Sequence, residues 1–258
     1  YDDSSALINK WRDTGRLGYA VTPRFAPTST PEQLEVAGSL LKEHPDTYLH
    51  THLSENRSEI EWVGQLFPER AHYLDVYDHY GLVTDRAVFA HGIHLSDQEL
   101  TRLHDCGSTL CHCPSSNLFL GSGLYPLQTI NASGVRSALG TDVGGGTSLS
   151  MLSTMGDAYK IQQLAQHRLD PLQAFYMATL AGAEALDMTD KIGSLQVGRE
   201  ADMVRLDLHS TPIIRERMER ADSVEDVLFA LMILADDRAV AETYVMGRPM
   251  KAETAILR

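Results

Sequence analysis

The feature that most constrains this chain is a repeating alternation. Short apolar runs end in polar side chains, and each is followed by an amphipathic stretch. Leu17–Val21, Thr47–Leu53, Ala87–Ala90, Thr109–Cys113 and Val135–Leu139 read as strands. Helical signals lie between and after them. Asn56–Phe67 brings Ile60, Val63, Gly64 and Phe67 onto one face. Ser96 and Glu99 open Ser96–Asp105 as a capping box. A helix follows Ser150, with Met151, Met155, Ala158, Ile161 and Ala165 on its apolar side. Asp170-Pro171 caps and starts another. Strands joined by helical crossovers pair in parallel, so the expected class is α/β. Two architectures remain, a doubly wound sheet or part of an eight-stranded barrel. A dinucleotide fold needs G-x-G-x-x-G after its first strand. The chain has neither that motif nor a P-loop, and Gly144-Gly145-Gly146 does not substitute for them.

In a (β/α) barrel the chemistry sits at the C-terminal ends of the strands. Here those ends read Thr22-Pro23-Arg24-Phe25, His50-Thr51-His52-Leu53-Ser54-Glu55, His91-Gly92, Cys113-Pro114-Ser115-Ser116-Asn117 and Gly140-Thr141-Asp142. His52, His91 and Asp142 form a donor set that suits a divalent zinc or iron ion. Such an ion lowers the pKa of water toward neutrality. Glu55, three residues after His52, is placed to act as general acid and base. His50 shares a strand face with His52 and is read as packing one layer deeper. His44, His72, His79 and His104 read as surface residues, and His94 is left open. Cys111-His112-Cys113 lacks the second ligand pair of a zinc knot, so both cysteines read as buried strand residues and His112 as pointing away from the barrel interior. The glycine run is either a flexible loop or one that lets substrate approach the backbone.

The net charge is −13, with 22 Lys and Arg against 35 Asp and Glu, which excludes phosphate-driven nucleic-acid binding. No apolar run approaches the ~20 residues of a membrane span. Three cysteines without a disulfide pattern suit a reducing cytoplasm. The chain opens at Tyr1 already in helical pattern, which suggests a piece of something longer. After Leu186 the texture changes. Ile192–Gly198 reads as turns, Ala201–Leu208 as a strand ending the barrel region, Ser223–Ala235 as a helix, and Thr243–Met246 with Gly247–Met250 as a hairpin. The expected units are residues 1–190 and 191–258.

With these residues in view, the chain resembles the amidohydrolase superfamily. The resemblance rests on His52, His91 and Gly140-Thr141-Asp142, and on Gly182–Leu186, Ile192–Leu195 and Gly198–Asp202 near the C-terminus. Within that superfamily, Thr22–Pro27, His52–Asn56 and Cys113–Leu118 are similar to the guanine deaminases. The resemblance implies a (β/α)8 TIM-type barrel of which strands four to eight are present, followed by the C-terminal remnant of a small β domain. It implies hydrolysis of guanine to xanthine and ammonia. His52 and Asp142 would ligate the metal, and His91 would contact the attacking water or the substrate. Glu55 would shuttle protons, and Asp142 would take one from the water. Arg24 would bond the guanine carbonyl and Phe25 would pack on the ring. Relatives with two metals use a modified lysine where this chain has Arg24, so one divalent metal is expected. The family's first barrel strand supplies an H-x-H pair that this chain lacks. The expectation is therefore an inactive isolated chain or one completed by a companion N-terminal chain, with a homodimer in the complete protein. Rival readings are a related enzyme acting on another purine, a pterin or a triazine, and a non-catalytic fragment or pseudoenzyme.

Overall fold

The computed structural model describes residues 1–12 and 14–251. Strands β1 (Ala20–Val21), β2 (Tyr48–Leu53), β3 (Ala87–His91), β4 (Thr109–His112) and β5 (Arg136–Leu139) form one sheet in that order, and every neighbouring pair is parallel. The alternation read from the sequence thus yields a parallel α/β sheet. The first strand starts at Ala20 rather than Leu17.

The sheet has two unequal faces. Leu49, Thr51 and Leu53 of β2, Phe89 of β3 and Leu110 and His112 of β4 are buried. Tyr77 and Leu74, from the helix Tyr73–His79, belong to the same fully buried set. The register aligns His52 with Ala90 and Ala90 with Cys111, so these share the opposite face. That face is less covered. His50 is exposed on that face.

Local signals hold where they were read. Ser96 Oγ accepts from the Glu99 N–H, and Glu99 Oε2 accepts from the Ser96 N–H at 2.8 Å, starting the helix Asp97–Cys106. Asp170 caps Pro171–Met177 through the Leu172 N–H at 2.8 Å.

A second sheet contains β6 (Met203–Leu206), β7 (Val240–Val245) and β8 (Arg248–Pro249), all antiparallel. This corrects the reading of Ala201–Leu208 as a strand ending the barrel region. The strand exists, but it pairs with β7 and not with the first sheet. The helix Val224–Leu234 packs on the helix Met151–Leu164, and Val240–Val245 follows it to lie beside β6. The expected hairpin joins β7 and β8 through Met246 (φ 50°) and Gly247 (φ 74°), both left-handed as a tight hairpin turn requires. Positions 252–258 of the expected second unit lie outside the described residues. Among the described residues, no helix is long and apolar enough to cross a membrane.

Candidate functional site

The C-terminal ends of β2, β3 and β5 converge. Ser54 (φ 47°), His91 (φ 72°) and Asp142 (φ 48°) all adopt left-handed backbone at these ends. Such conformations cost free energy in non-glycine residues and persist only where surroundings enforce them. His52, His91 and Asp142 each offer a ligand atom, and those atoms lie within 4.8 Å of one another. The two imidazole rings stack at 5.3 Å between centroids. Nε2 of His91 is 3.6 Å from Glu55 Oε2 and 3.8 Å from Asp142 Oδ2.

His52 and Glu55 are held from outside the cluster. His52 Nδ1 donates to the Arg24 main-chain oxygen at 2.7 Å. A carbonyl only accepts, so Nδ1 carries the proton and Nε2 keeps its lone pair. The same oxygen accepts from the His52 N–H at 3.2 Å and from Thr51 Oγ1 at 3.1 Å. Buried Tyr77 couples the two strand ends. Its hydroxyl accepts from the Ala26 N–H at 3.0 Å and donates to the His52 carbonyl at 2.9 Å. Ser122 Oγ donates to Glu55 Oε1 at 2.7 Å, which leaves Oε2 facing His91. His91 is fully buried. Burial pushes its pKa down, and the Glu55 carboxylate opposes that shift.

The ring of Phe25 stands 6.0 Å from that of His52, and the Arg24 guanidinium lies 5.2 Å above Phe25. Arg24 is exposed. The Gly144–Gly146 loop is shaped by close approach. A Cβ on Gly145 would meet Ser116 Oγ at 2.6 Å and Asp142 Oδ2 at 3.1 Å. Ser115 ties this loop to the helix Pro114–Leu120, accepting from the Thr147 N–H at 3.0 Å.

His94, left open by the sequence, bonds the Ser122 carbonyl through Nε2 at 2.9 Å and so steadies the turn that holds Glu55. His112 is fully buried and stacks on Tyr125 at 4.2 Å, with burial depressing its pKa to about 3. Cys106, Cys111 and Cys113 are free thiols. A hydrogen bond with Cys111 and burial push the Cys113 pKa up, which opposes a thiolate ligand. Asn117, Ser122 and Tyr77 were given no role by the sequence reading. Asn117 lay in plain sight within Cys113-Pro114-Ser115-Ser116-Asn117.

The free Nε2 of His52 and the Asp142 carboxylate are donors that fit a divalent ion of the zinc or iron type. Residues 4–250 match the family described as "Amidohydrolase family". The chain belongs to the amidohydrolase family. Among amidohydrolases, the guanine deaminase of Escherichia coli (strain K12) is 48% identical over 248 residues, 96% of this chain and 56% of that protein. A solved E. coli guanine deaminase superposes with a TM-score of 0.95 at 46% identity, covering 97% of this chain and 60% of that one. A guanine deaminase from C. acetobutylicum, solved with guanine bound in the active site, gives 0.88 at 29% identity, covering 97% and 59%. This amidohydrolase chain therefore spans less than two thirds of the length of the relatives it matches.

Proposed function

We propose that this chain carries the metal- and proton-handling part of a guanine deaminase, which hydrolyses guanine to xanthine and ammonia. The observation that carries the reading is the convergence of His52, Glu55, His91 and Asp142 beside Arg24 and Phe25. The similarity to enzymes named guanine deaminase, one with guanine bound, supports it.

One divalent ion, zinc or iron, held by His52 and Asp142, would supply Lewis-acid charge stabilisation and water of lowered pKa. Asp142 takes a proton from the attacking water as the oxygen bonds to the guanine carbon bearing the 2-amino group. Glu55 carries that proton to the ring nitrogen, then takes the remaining proton of the added hydroxyl and passes it to the departing amine, so the new carbonyl forms as the carbon–nitrogen bond breaks to ammonia. His91 donates a hydrogen bond to the reacting atoms. Arg24 donates to the guanine carbonyl, and Phe25 packs on the purine ring. The five parallel strands are assigned as strands four to eight of a (β/α)8 barrel, within residues 1–190. Residues 191–258 then supply part of a small β domain. A five-stranded sheet with open edges needs further strands to close. We assign those strands and an H-x-H ligand pair to a preceding segment or companion chain, and assign the complete protein to a cytoplasmic homodimer.

Ammonia release from guanine, with adenine, a pterin and a triazine as competitors, tests the substrate. It is measured for the chain alone and after mixing with a chain carrying the H-x-H half. Release from guanine that a Glu55→Gln exchange lowers by about 100-fold or more supports the reading. Preference for another heterocycle overturns the substrate, and full activity of the chain alone overturns the assignment of the missing ligands.

A further inference from the structure

We propose that Asn117 is a positioning residue that fixes His91 with its proton on Nε2. Two stacked histidines then play opposite parts, His52 as a ligand and His91 as a hydrogen-bond donor.

The two rings are held by different chemistry. The partner of His52 is a backbone carbonyl, which forces the proton onto Nδ1. The partner of His91 is an amide nitrogen, since Asn117 Nδ2 stands 2.9 Å from His91 Nδ1. An amide nitrogen only donates, so Nδ1 of His91 is the acceptor and Nε2 carries the hydrogen. Turning the Asn117 amide over would place its two N–H donors where Oδ1 now lies, buried and without a partner. Orphaned buried N–H groups are rarer than under-satisfied carbonyls, which favours the orientation seen. Asn117 is itself rigid. It is 1% exposed, its N–H donates to the Cys113 carbonyl at 3.0 Å, and its carbonyl accepts from the Ser122 N–H at 2.9 Å.

The consequence is local and specific. The Nε2–H of His91 faces two carboxylates, Glu55 Oε2 and Asp142 Oδ2, neither within hydrogen-bond distance. It is a donor waiting for an acceptor in the space between them. His91 therefore belongs to the cluster by distance without serving as a third metal ligand. The identity of that acceptor, water or a substrate atom, rests on the deaminase reading above, whereas the position of the proton does not.

The test is nitrogen NMR of the histidine rings in 15N-histidine-labelled holoenzyme, with His91 assigned by its loss in a His91→Gln spectrum. The expected signature is a lone-pair Nδ1 and a protonated Nε2. An Asn117→Asp carboxylate only accepts, so it should draw the proton to Nδ1 and reverse the signature. It should also lower kcat by about 100-fold with little change in KM and unchanged metal content. If that variant does not fold, Asn117→Leu removes the donor and should leave His91 as a mixture of tautomers. A native His91 protonated on Nδ1, or a signature indifferent to both exchanges, overturns the proposal. The expected signature in a protein that releases no ammonia from guanine even after mixing with the H-x-H half supports Asn117 and overturns the deaminase reading instead.

Discussion

Nδ1 of His52 lies 2.7 Å from the main-chain oxygen of Arg24, so the end of β1 orients a metal-capable ring on β2. Losing such an orienting partner costs about 10–100-fold in metal affinity, and losing the ligand itself should cost more. His52→Ala is therefore expected to lose its divalent ion on dialysis under conditions where the parent protein keeps it. Atomic emission on dialysed samples reads this directly. Equal retention by both proteins would show that the ion is held elsewhere.

How much of this arrangement the sequence disclosed depends on the range of each contact. Alternation of apolar and polar residues along β2 reports which side chains share a face, and a strand end followed by polar residues marks His52, His91 and Asp142. The same alternation says nothing about which face the helices cover. Asn117 meets His91 across 26 positions and Ser122 meets Glu55 across 67, so neither leaves a local trace. The helices Tyr73–His79, Pro114–Leu120 and Leu127–Ser133 have 7 residues each, too few for a periodicity to declare itself. For Ala201–Leu208 the strand was legible and its partner strand was not, because the pairing with β7 joins residues far apart in the chain.

Gly146 lies against the chain it follows. A Cβ there would fall 1.7 Å from the Thr141 carbonyl oxygen, and the Gly146 N–H donates to the Asp142 carbonyl at 2.6 Å. Backbone atoms cannot swing aside as a side chain can. Gly146→Ala is expected to displace the turn that aims Asp142, destabilising the fold by about 1–3 kcal/mol and weakening metal retention together. Urea midpoints and metal content check both. An unchanged midpoint with full metal would show that the turn accommodates the methyl group.

The His112 ring makes stability depend on pH. Its folded pKa, about 3, lies below the 6.5 of a free histidine because burial penalises the charged ring. Between those values the unfolded chain binds a proton that the folded chain refuses. Stability is therefore full above pH 6.5 and falls as pH drops toward 3. At pH 5 the loss from this ring is about 2 kcal/mol. His112→Phe keeps an aromatic ring against Tyr125 and removes the titration. Urea unfolding at pH 7 and pH 5 should show a smaller loss in this variant than in the parent. An identical loss in both would assign the acid sensitivity to other groups.

Tyr77 tests whether the Arg24–Phe25 segment after β1 is held in place by a single hydroxyl. That hydroxyl is fully buried, accepts from the Ala26 N–H, donates to the His52 carbonyl and lies 3.2 Å from Thr51 Oγ1. Tyr77→Phe preserves the ring and its stack on Phe89 at 5.8 Å, so packing is nearly unchanged. It leaves the Ala26 N–H, one residue after Phe25, buried without its partner. Stranding a buried polar group costs about 1–3 kcal/mol, and the backbone can relieve part of that cost by moving Ala26 toward water. Such a movement carries Arg24 and Phe25 with it and leaves Glu55 on its Ser122 anchor. The expected result is a lower urea midpoint and a raised KM for guanine, with kcat reduced far less than KM is raised. A large fall in kcat at constant KM would place the effect on His52 instead. Constancy of all three quantities would mean that the hydroxyl network is incidental to the site.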